Sequence, residues 1–130
     1  MMEINTIVFS KDRPAQLDLL LNSIQQYIFG ITSLTILYKP TPLCPEEYYA
    51  RLKEKYPNYE WLQETNFHQD FINLINNFTD DSLILCFADD EIIYRPINLQ
   101  KYMPYIDNNI AIWRRQSIKA TIYFKYNWQL

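Results

Sequence analysis

The sequence predicts an α/β fold, a doubly wound and mostly parallel sheet with helices on both faces. Three observations carry this expectation. Short apolar runs alternate along the chain with amphipathic stretches. The stretches between the runs carry apolar residues at spacings of three and four, the period of a helix with one buried face. One run, Leu83-Ile84-Leu85-Cys86-Phe87, is apolar without alternation, as a central parallel strand covered on both faces must be.

Taken in order, Ile4 to Ser10 is a β-rich run that stops at Lys11-Asp12-Arg13-Pro14. Pro14 suits a first helical turn, where its missing N–H would have no partner in any case. Leu17, Leu20, Leu21, Ile24 and Ile28 then share one helical face, with Gly30 as the expected C-terminal stop. Ser33 to Tyr38 is a second apolar run. Pro40, Pro42 and Pro45 follow, and Glu46-Glu47 place acids at the positive end of a helix expected to reach about Tyr56. Tyr59 to Gln63 is a short third strand, weakened by Glu60. Phe67, Phe71, Leu74, Ile75 and Phe78 form another helical stripe, closed by the turn Thr79-Asp80-Asp81-Ser82. The strong run 83–87 comes next and feeds Ala88-Asp89-Asp90-Glu91. Beyond it, Ile92 to Pro96 reads as extended, Asn98 as the cap of a short helix through Met103, and Ile110 to Trp113 as a further strand.

Composition excludes several function classes. The 130 residues make one domain, 1–130, and 48% hydrophobic residues suffice for one core. A net charge of -3 offers no basic field to hold a phosphate backbone, so nucleic acid is not an expected partner. The single glycine, Gly30, rules out a GxGxxG turn and a GxxxxGK[ST] loop. One histidine, His68, cannot build a multi-histidine zinc site, and at the start of a helical stripe it reads as a surface or capping residue. Cys44 and Cys86 are read as reduced thiols, the latter a small buried apolar residue. With neither a signal-peptide pattern at Met1 to Ser10 nor a transmembrane segment, the expected location is cytoplasmic.

In doubly wound sheets ligands bind beyond the carboxyl ends of the strands, where strand order reverses. If the first strand is central, with the second and third on one side and the run 83–87 on the other, the crevice has two lips. These are Ser10-Lys11-Asp12-Arg13 and Ala88-Asp89-Asp90-Glu91. Asp80-Asp81 precedes its strand and falls at the opposite edge. Three adjacent carboxylates repel one another and call for a cation or hydrogen-bond donors. Mg²⁺ or Mn²⁺ suits them, since such ions take one or two carboxylates and fill the remaining positions with water and diphosphate oxygens. Arg13, near a helix N-terminus, is placed to meet a phosphate or to pair with Asp89 or Asp90.

The segment Phe87-Ala88-Asp89-Asp90-Glu91-Ile92-Ile93-Tyr94-Arg95-Pro96 resembles the DxD-type motif of GT-A glycosyltransferases, a Rossmann-like fold. The opening Ile7-Val8-Phe9-Ser10-Lys11-Asp12-Arg13-Pro14 resembles the first strand and helix of the same enzymes. The resemblance implies a nucleotide-diphospho-sugar ligand and sugar transfer to a hydroxyl acceptor of unknown identity. It makes Asp89 the ribose contact and Asp90 the ligand of Mn²⁺ or Mg²⁺, with Glu91 able to serve in the metal role. Ser10 and Asp12 then lie near the base or ribose, and Arg13 near the nucleotide or the acidic cluster. Residues 1–100 correspond to the donor half, leaving 101–130 as a short C-terminal extension in place of an acceptor half, and no catalytic base is assigned. The second run ends Tyr38-Lys39-Pro40, without the Asp that many members set against the base.

The tail carries Trp113, Tyr123, Phe124, Tyr126 and Trp128 among Arg114, Arg115, Lys119 and Lys125. It is expected to complete the sheet or cover a face or, if exposed, to form an oligomer interface or touch a membrane surface. Two other readings compete with a transferase. One is a non-catalytic interaction module keeping the same fold. The other is a phosphoacceptor receiver domain, which fits poorly at Ser10-Lys11-Asp12 and Gln63-Glu64-Thr65, where it needs an acidic cluster and a phosphoacceptor Asp.

Overall fold

Strand β1, Ile4–Lys11, lies at the centre of a five-stranded sheet and is buried over most of its length. The structure, a computed structural model, describes residues 3–79 and 82–101 and the backbone of Thr121–Phe124. After β1 come α1 (Pro14–Tyr27), β2 (Ile28–Phe29), β3 (Ser33–Lys39), α2 (Glu46–Lys55), β4 (Glu60–Gln63), α3 (Phe67–Asn77), β5 (Leu83–Ala88), β6 (Ile97–Asn98) and β7 (Thr121–Phe124).

The main sheet runs β4-β3-β1-β5-β7, and β2 pairs with β6 in a small second sheet. β4, β3, β1 and β5 are parallel, in the register Phe9 opposite Leu37 on one side and Ala88 on the other. β7 is antiparallel to β5, with Leu83 opposite Phe124, so part of the aromatic tail does complete the sheet. The expected strand at Ile110 to Trp113 and the helix end at Met103 lie outside the described residues.

Alternation along β1 divides the core. Ile4 and Val8 face α1 and α2, where they pack with Leu17, Leu20, Leu21, Ile24, Tyr49 and Leu52. Ile7 faces α3 and packs with Ile75, Ile84 and Cys86. Each helix starts as its sequence dictates. α1 has Pro14 in its first turn, and Leu17 N–H donates to Arg13 C=O at 3.0 Å. α2 carries Glu46 and Glu47 at its positive end and Lys53 and Lys55 at its negative end. α3 is capped by Asn66, whose side chain accepts from Gln69 N–H at 3.0 Å. His68 is exposed on that first turn, and the cap is its neighbour's.

Two expectations are corrected. Ile28 shares the apolar spacing of α1 but is extended, at φ -101° and ψ 121°, and pairs with Ile97. Gly30 therefore does not end the helix. It follows β2 at φ +99°, and a Cβ there would meet Gln100 Cγ at 3.1 Å. The segment after β5 is also irregular over Ile92 to Pro96 rather than a strand, since only Ile97–Asn98 finds a partner. Asn98 does act as a cap, accepting from Gln100 N–H at 3.2 Å.

A polar clasp joins α1 to α2 outside the core. Lys55 Nζ lies 2.8 Å from Asp18 Oδ1, and Tyr56 OH donates to the same oxygen at 2.6 Å. Burial would raise the Asp18 carboxyl, but the hydrogen bonds from Lys55 and Tyr56 outweigh it and hold the group below its ordinary value of 3.8. A carboxylate with a lowered native pKa stabilises the fold above its unfolded pKa, and that contribution vanishes as pH falls through the native value. The urea midpoint gap between the wild type and Asp18→Asn is accordingly expected to be wide at pH 7 and to narrow below about pH 4. In the core, Leu20→Ala, at a fully buried site, should cost about 2–5 kcal/mol by urea titration. Leu19→Ala, one residue earlier and 61% exposed, should change stability by less than about 0.5 kcal/mol.

Candidate functional site

From β1 the chain proceeds outward through β3 to β4, and α3 then returns it to the opposite flank of β1 as β5. The order reverses between β1 and β5, and the crevice opens at their carboxyl ends. Ser10 is the penultimate residue of β1, and Asp89 directly follows β5. Both are buried.

Asp89 Oδ2 accepts from Ser10 Oγ at 3.0 Å and from Lys11 N–H at 3.2 Å. Arg13 Nη1 stands 3.7 Å from the other carboxylate oxygen, Oδ1, with its side chain 53% exposed. Behind Ser10 lies Tyr49 of α2, its hydroxyl 2.9 Å from Ser10 Oγ and accepting from Arg13 N–H at 3.1 Å. The single hydroxyl proton of Ser10 is directed to Asp89, so Tyr49 donates to Ser10 and the bonds run one way, Tyr49 to Ser10 to Asp89. Burial pushes the Tyr49 phenol up, which keeps that donor protonated.

Asp12 points elsewhere. It holds a left-handed backbone, φ +56°, which a short polar residue tolerates better than most. Its carboxylate accepts from Thr41 N–H and Thr41 Oγ1, both at 2.6 Å, and its own N–H donates to Lys39 C=O at 3.2 Å. The Thr41 hydroxyl is the main reason its carboxyl is lowered. Asp12 thus ties β1 to the loop after β3, while Asp89 ties β1 to β5.

The remaining acids diverge. Asp90 is exposed in the turn beyond Asp89, and Glu91 N–H closes that turn on Ala88 C=O at 3.2 Å. Glu91 is half-buried and near enough to Cys86 to add to the effect of burial, which pushes that thiol up to about 12. Cys86 is therefore no nucleophile at neutral pH. Burial also raises Cys44, with Asp12 adding to it. Past the turn, Ile93 N–H donates to Ser23 Oγ at 3.0 Å, pinning the segment to α1.

Among the described residues no three His, Cys, Asp or Glu side chains gather as a metal cage. The donor set fits a different arrangement. Asp89 has both oxygens engaged by protein groups, whereas Asp90 presents its carboxylate to solvent. A hard divalent ion that keeps its waters and takes diphosphate oxygens needs one such group.

Of the residues expected at the site, Ser10, Arg13 and Asp89 converge, Asp90 and Glu91 follow in the same turn, and Asp12 stands on the β3 side. Sequence reasoning missed Tyr49, Thr41 and Ser23. Tyr49 shares an apolar spacing with Leu52 and Tyr56, which announces burial but not the bond its hydroxyl makes.

No protein-family model matches the sequence, and no curated protein matches it. Solved structures match its fold. S. aureus TarS aligns with a TM-score of 0.56 at 22% identity, over 82% of this chain and 20% of that one. S. aureus TarS 1-349 in complex with UDP gives a TM-score of 0.56 at 20% identity, over 82% of this chain and 32% of that one. The apo-form glycosyltransferase GlyE of Streptococcus pneumoniae TIGR4 gives 0.54 at 10% identity, over 96% of this chain and 34% of that one. This chain spans between 20% and 34% of the length of these proteins. Also, no helix among the described residues is long and apolar enough to cross a membrane. At such identities the likeness is one of fold: the chain has a GT-A-like glycosyltransferase fold, α/β and mostly parallel, with helices on both faces.

Proposed function

We propose that the chain binds a nucleotide-diphospho-sugar across the carboxyl ends of β1 and β5 and serves as the donor-binding part of a glycosyltransferase acting on a hydroxyl acceptor. The observation that carries this reading is the convergence of Ser10, Arg13 and Asp89 at the strand-order reversal, with the exposed Asp90 at its lip. The match to a structure in complex with UDP supports it.

On this reading each residue has its own task. Asp89, held by Ser10 Oγ and Lys11 N–H, fixes the acidic turn against β1, and its Oδ1 becomes the ribose contact when Arg13 turns from it to the diphosphate. Arg13 offers a half-exposed guanidinium to the diphosphate. Ser10 and Asp12 shape the floor beside the base and ribose. Asp90, and Glu91 if its side chain turns outward, would hold Mn²⁺ or Mg²⁺. Such an ion supplies charge neutralisation on the diphosphate.

Calorimetric titration with UDP and with GDP, each with and without Mn²⁺, tests the reading. Metal-dependent binding of one of them is the expected result. A folded chain that binds neither would overturn the donor site and favour an interaction module with the same fold. Asp90→Ala should abolish the metal-dependent affinity while moving stability by less than about 0.5 kcal/mol, since the residue is exposed. Retention of that affinity would refute the metal assignment. Asp89→Ala should differ, losing about 1–3 kcal/mol of stability in urea, because Ser10 Oγ and Lys11 N–H lose their buried acceptor.

A further inference from the structure

We infer that the buried hydroxyl of Tyr49 is a positioning group that holds Arg13 and Asp89 in place for the bound donor, an inference that rests on the donor-binding reading above. Tyr49 lies on α2 and is 1% exposed, so it is shut off from any ligand in the crevice. Its hydroxyl nonetheless reaches toward both groups that would meet one. It donates to Ser10 Oγ at 2.9 Å, and Ser10 Oγ donates to Asp89 Oδ2 at 3.0 Å. It also accepts from Arg13 N–H at 3.1 Å.

The two routes differ in kind. Through Ser10 the hydroxyl sets a side chain. With Tyr49 donating, Ser10 has one proton to give, and it goes to the carboxylate. Oδ2 is held in this way together with Lys11 N–H, which leaves Oδ1 facing Arg13 at 3.7 Å. Through Arg13 the hydroxyl sets a backbone. Arg13 is the N-cap of α1, its C=O accepts from Leu17 N–H at 3.0 Å, and Tyr49 takes up its N–H, one of the donors that a helix start leaves over. With both main-chain groups held, the half-exposed guanidinium turns about a fixed root.

The hydroxyl is itself fixed by the fold. The Tyr49 ring lies in the core beneath α1 and α2 and meets the ring of Tyr38, on β3, at 4.9 Å between centroids. The helix that carries it is tied to α1 by the bonds of Lys55 and Tyr56 to Asp18. Arg13 and Asp89 leave different strands, and one ligand has to meet both. Side chains whose anchor is set before binding lose less freedom when the ligand arrives. A single hydroxyl that anchors both therefore contributes to affinity without contact.

The test titrates UDP and GDP in Mn²⁺ into the wild type, Tyr49→Phe, Ser10→Ala, Arg13→Ala, the two double variants that add Tyr49→Phe to the latter pair, and Tyr56→Phe, with urea stability measured alongside. Tyr49→Phe keeps the ring and should weaken the nucleoside diphosphate bound by the wild type by about 10-fold. In the Ser10→Ala or the Arg13→Ala background it should cost only about 3-fold, because each has already removed one of its two routes. Tyr56→Phe removes a hydroxyl that serves Asp18 instead, so it should lower stability and leave affinity within about 2-fold. Ser10→Ala cuts one route without touching α2, and alone it should weaken binding by at least about 3-fold. Unchanged affinity in Tyr49→Phe or in Ser10→Ala, a full loss from Tyr49→Phe in both backgrounds, or an equal loss in Tyr56→Phe would overturn the inference. A folded wild type that binds neither UDP nor GDP would instead refute the donor-binding reading, and this inference with it.

Discussion

The buried carboxylate of Asp89 is the interaction on which the geometry of the crevice depends. β1 and β5 are neighbours in space, yet Ser10 and Asp89 are separated by 79 positions in sequence, and a parallel pair has no hairpin to set its end. The ladder fixes their register. At its open end, where backbone pairing stops, Asp89 accepts from the side chain of Ser10 and the backbone of Lys11 together. A buried carboxylate without partners would cost several kcal/mol, and here two donors and the Arg13 guanidinium offset that cost. Through Ser10 the same network reaches Tyr49, so α2 is tied to the junction as well.

This junction divides labour among side chains that look alike in sequence. Asp12 and Asp89 lie on either flank of β1, each engaging donors from a different segment. Asp12 accepts from Thr41 and fastens the loop leaving β3. Asp89 fastens the turn leaving β5. With both strand ends held, Asp90 is left exposed at the surface. The pinning of Ile93 to Ser23 makes the far side of the turn equally definite. A short acidic loop is thus presented from a rigid base.

Much of this was legible in the sequence because strand and helix periods respond to burial, and burial here is strong. The unbroken run at Leu83 to Phe87 marked β5 as a two-sided interior strand, whereas its place beside β1 was a supposition that the pairing of the two strands bears out. What could not be read is whatever depends on contacts between distant segments. Ile28 fits a helical face as well as a strand, and only its pairing with Ile97 decides the matter. Gly30 follows Ile28 into the turn for the same reason. Asp12, Asp89 and Asp90 are chemically equivalent in one dimension. Which is buried, and by what, depends on Thr41, Ser10 and Lys11 arriving from elsewhere.

The single glycine bears directly on how an anion would be met at this crevice. Glycine-rich loops bind phosphate by letting backbone N–H groups approach closely, and that solution is closed to this chain. The N–H groups nearest the crevice are already spent: Lys11 on Asp89, Asp12 on Lys39, Arg13 on Tyr49. On the proposed reading a diphosphate here is met by side chains rather than by a backbone cradle. Arg13 is half-exposed and weakly engaged, so it can turn toward a phosphate without breaking the buried bonds of Asp89. Asp90 adds the wrong sign for a phosphate by itself and becomes useful only with a divalent cation between the two. With those three N–H groups holding the strand ends together, the proposed donor reading assigns anion recognition chiefly to side chains at the crevice, Arg13 foremost, and leaves the exposed Asp90 as the group a divalent cation would use.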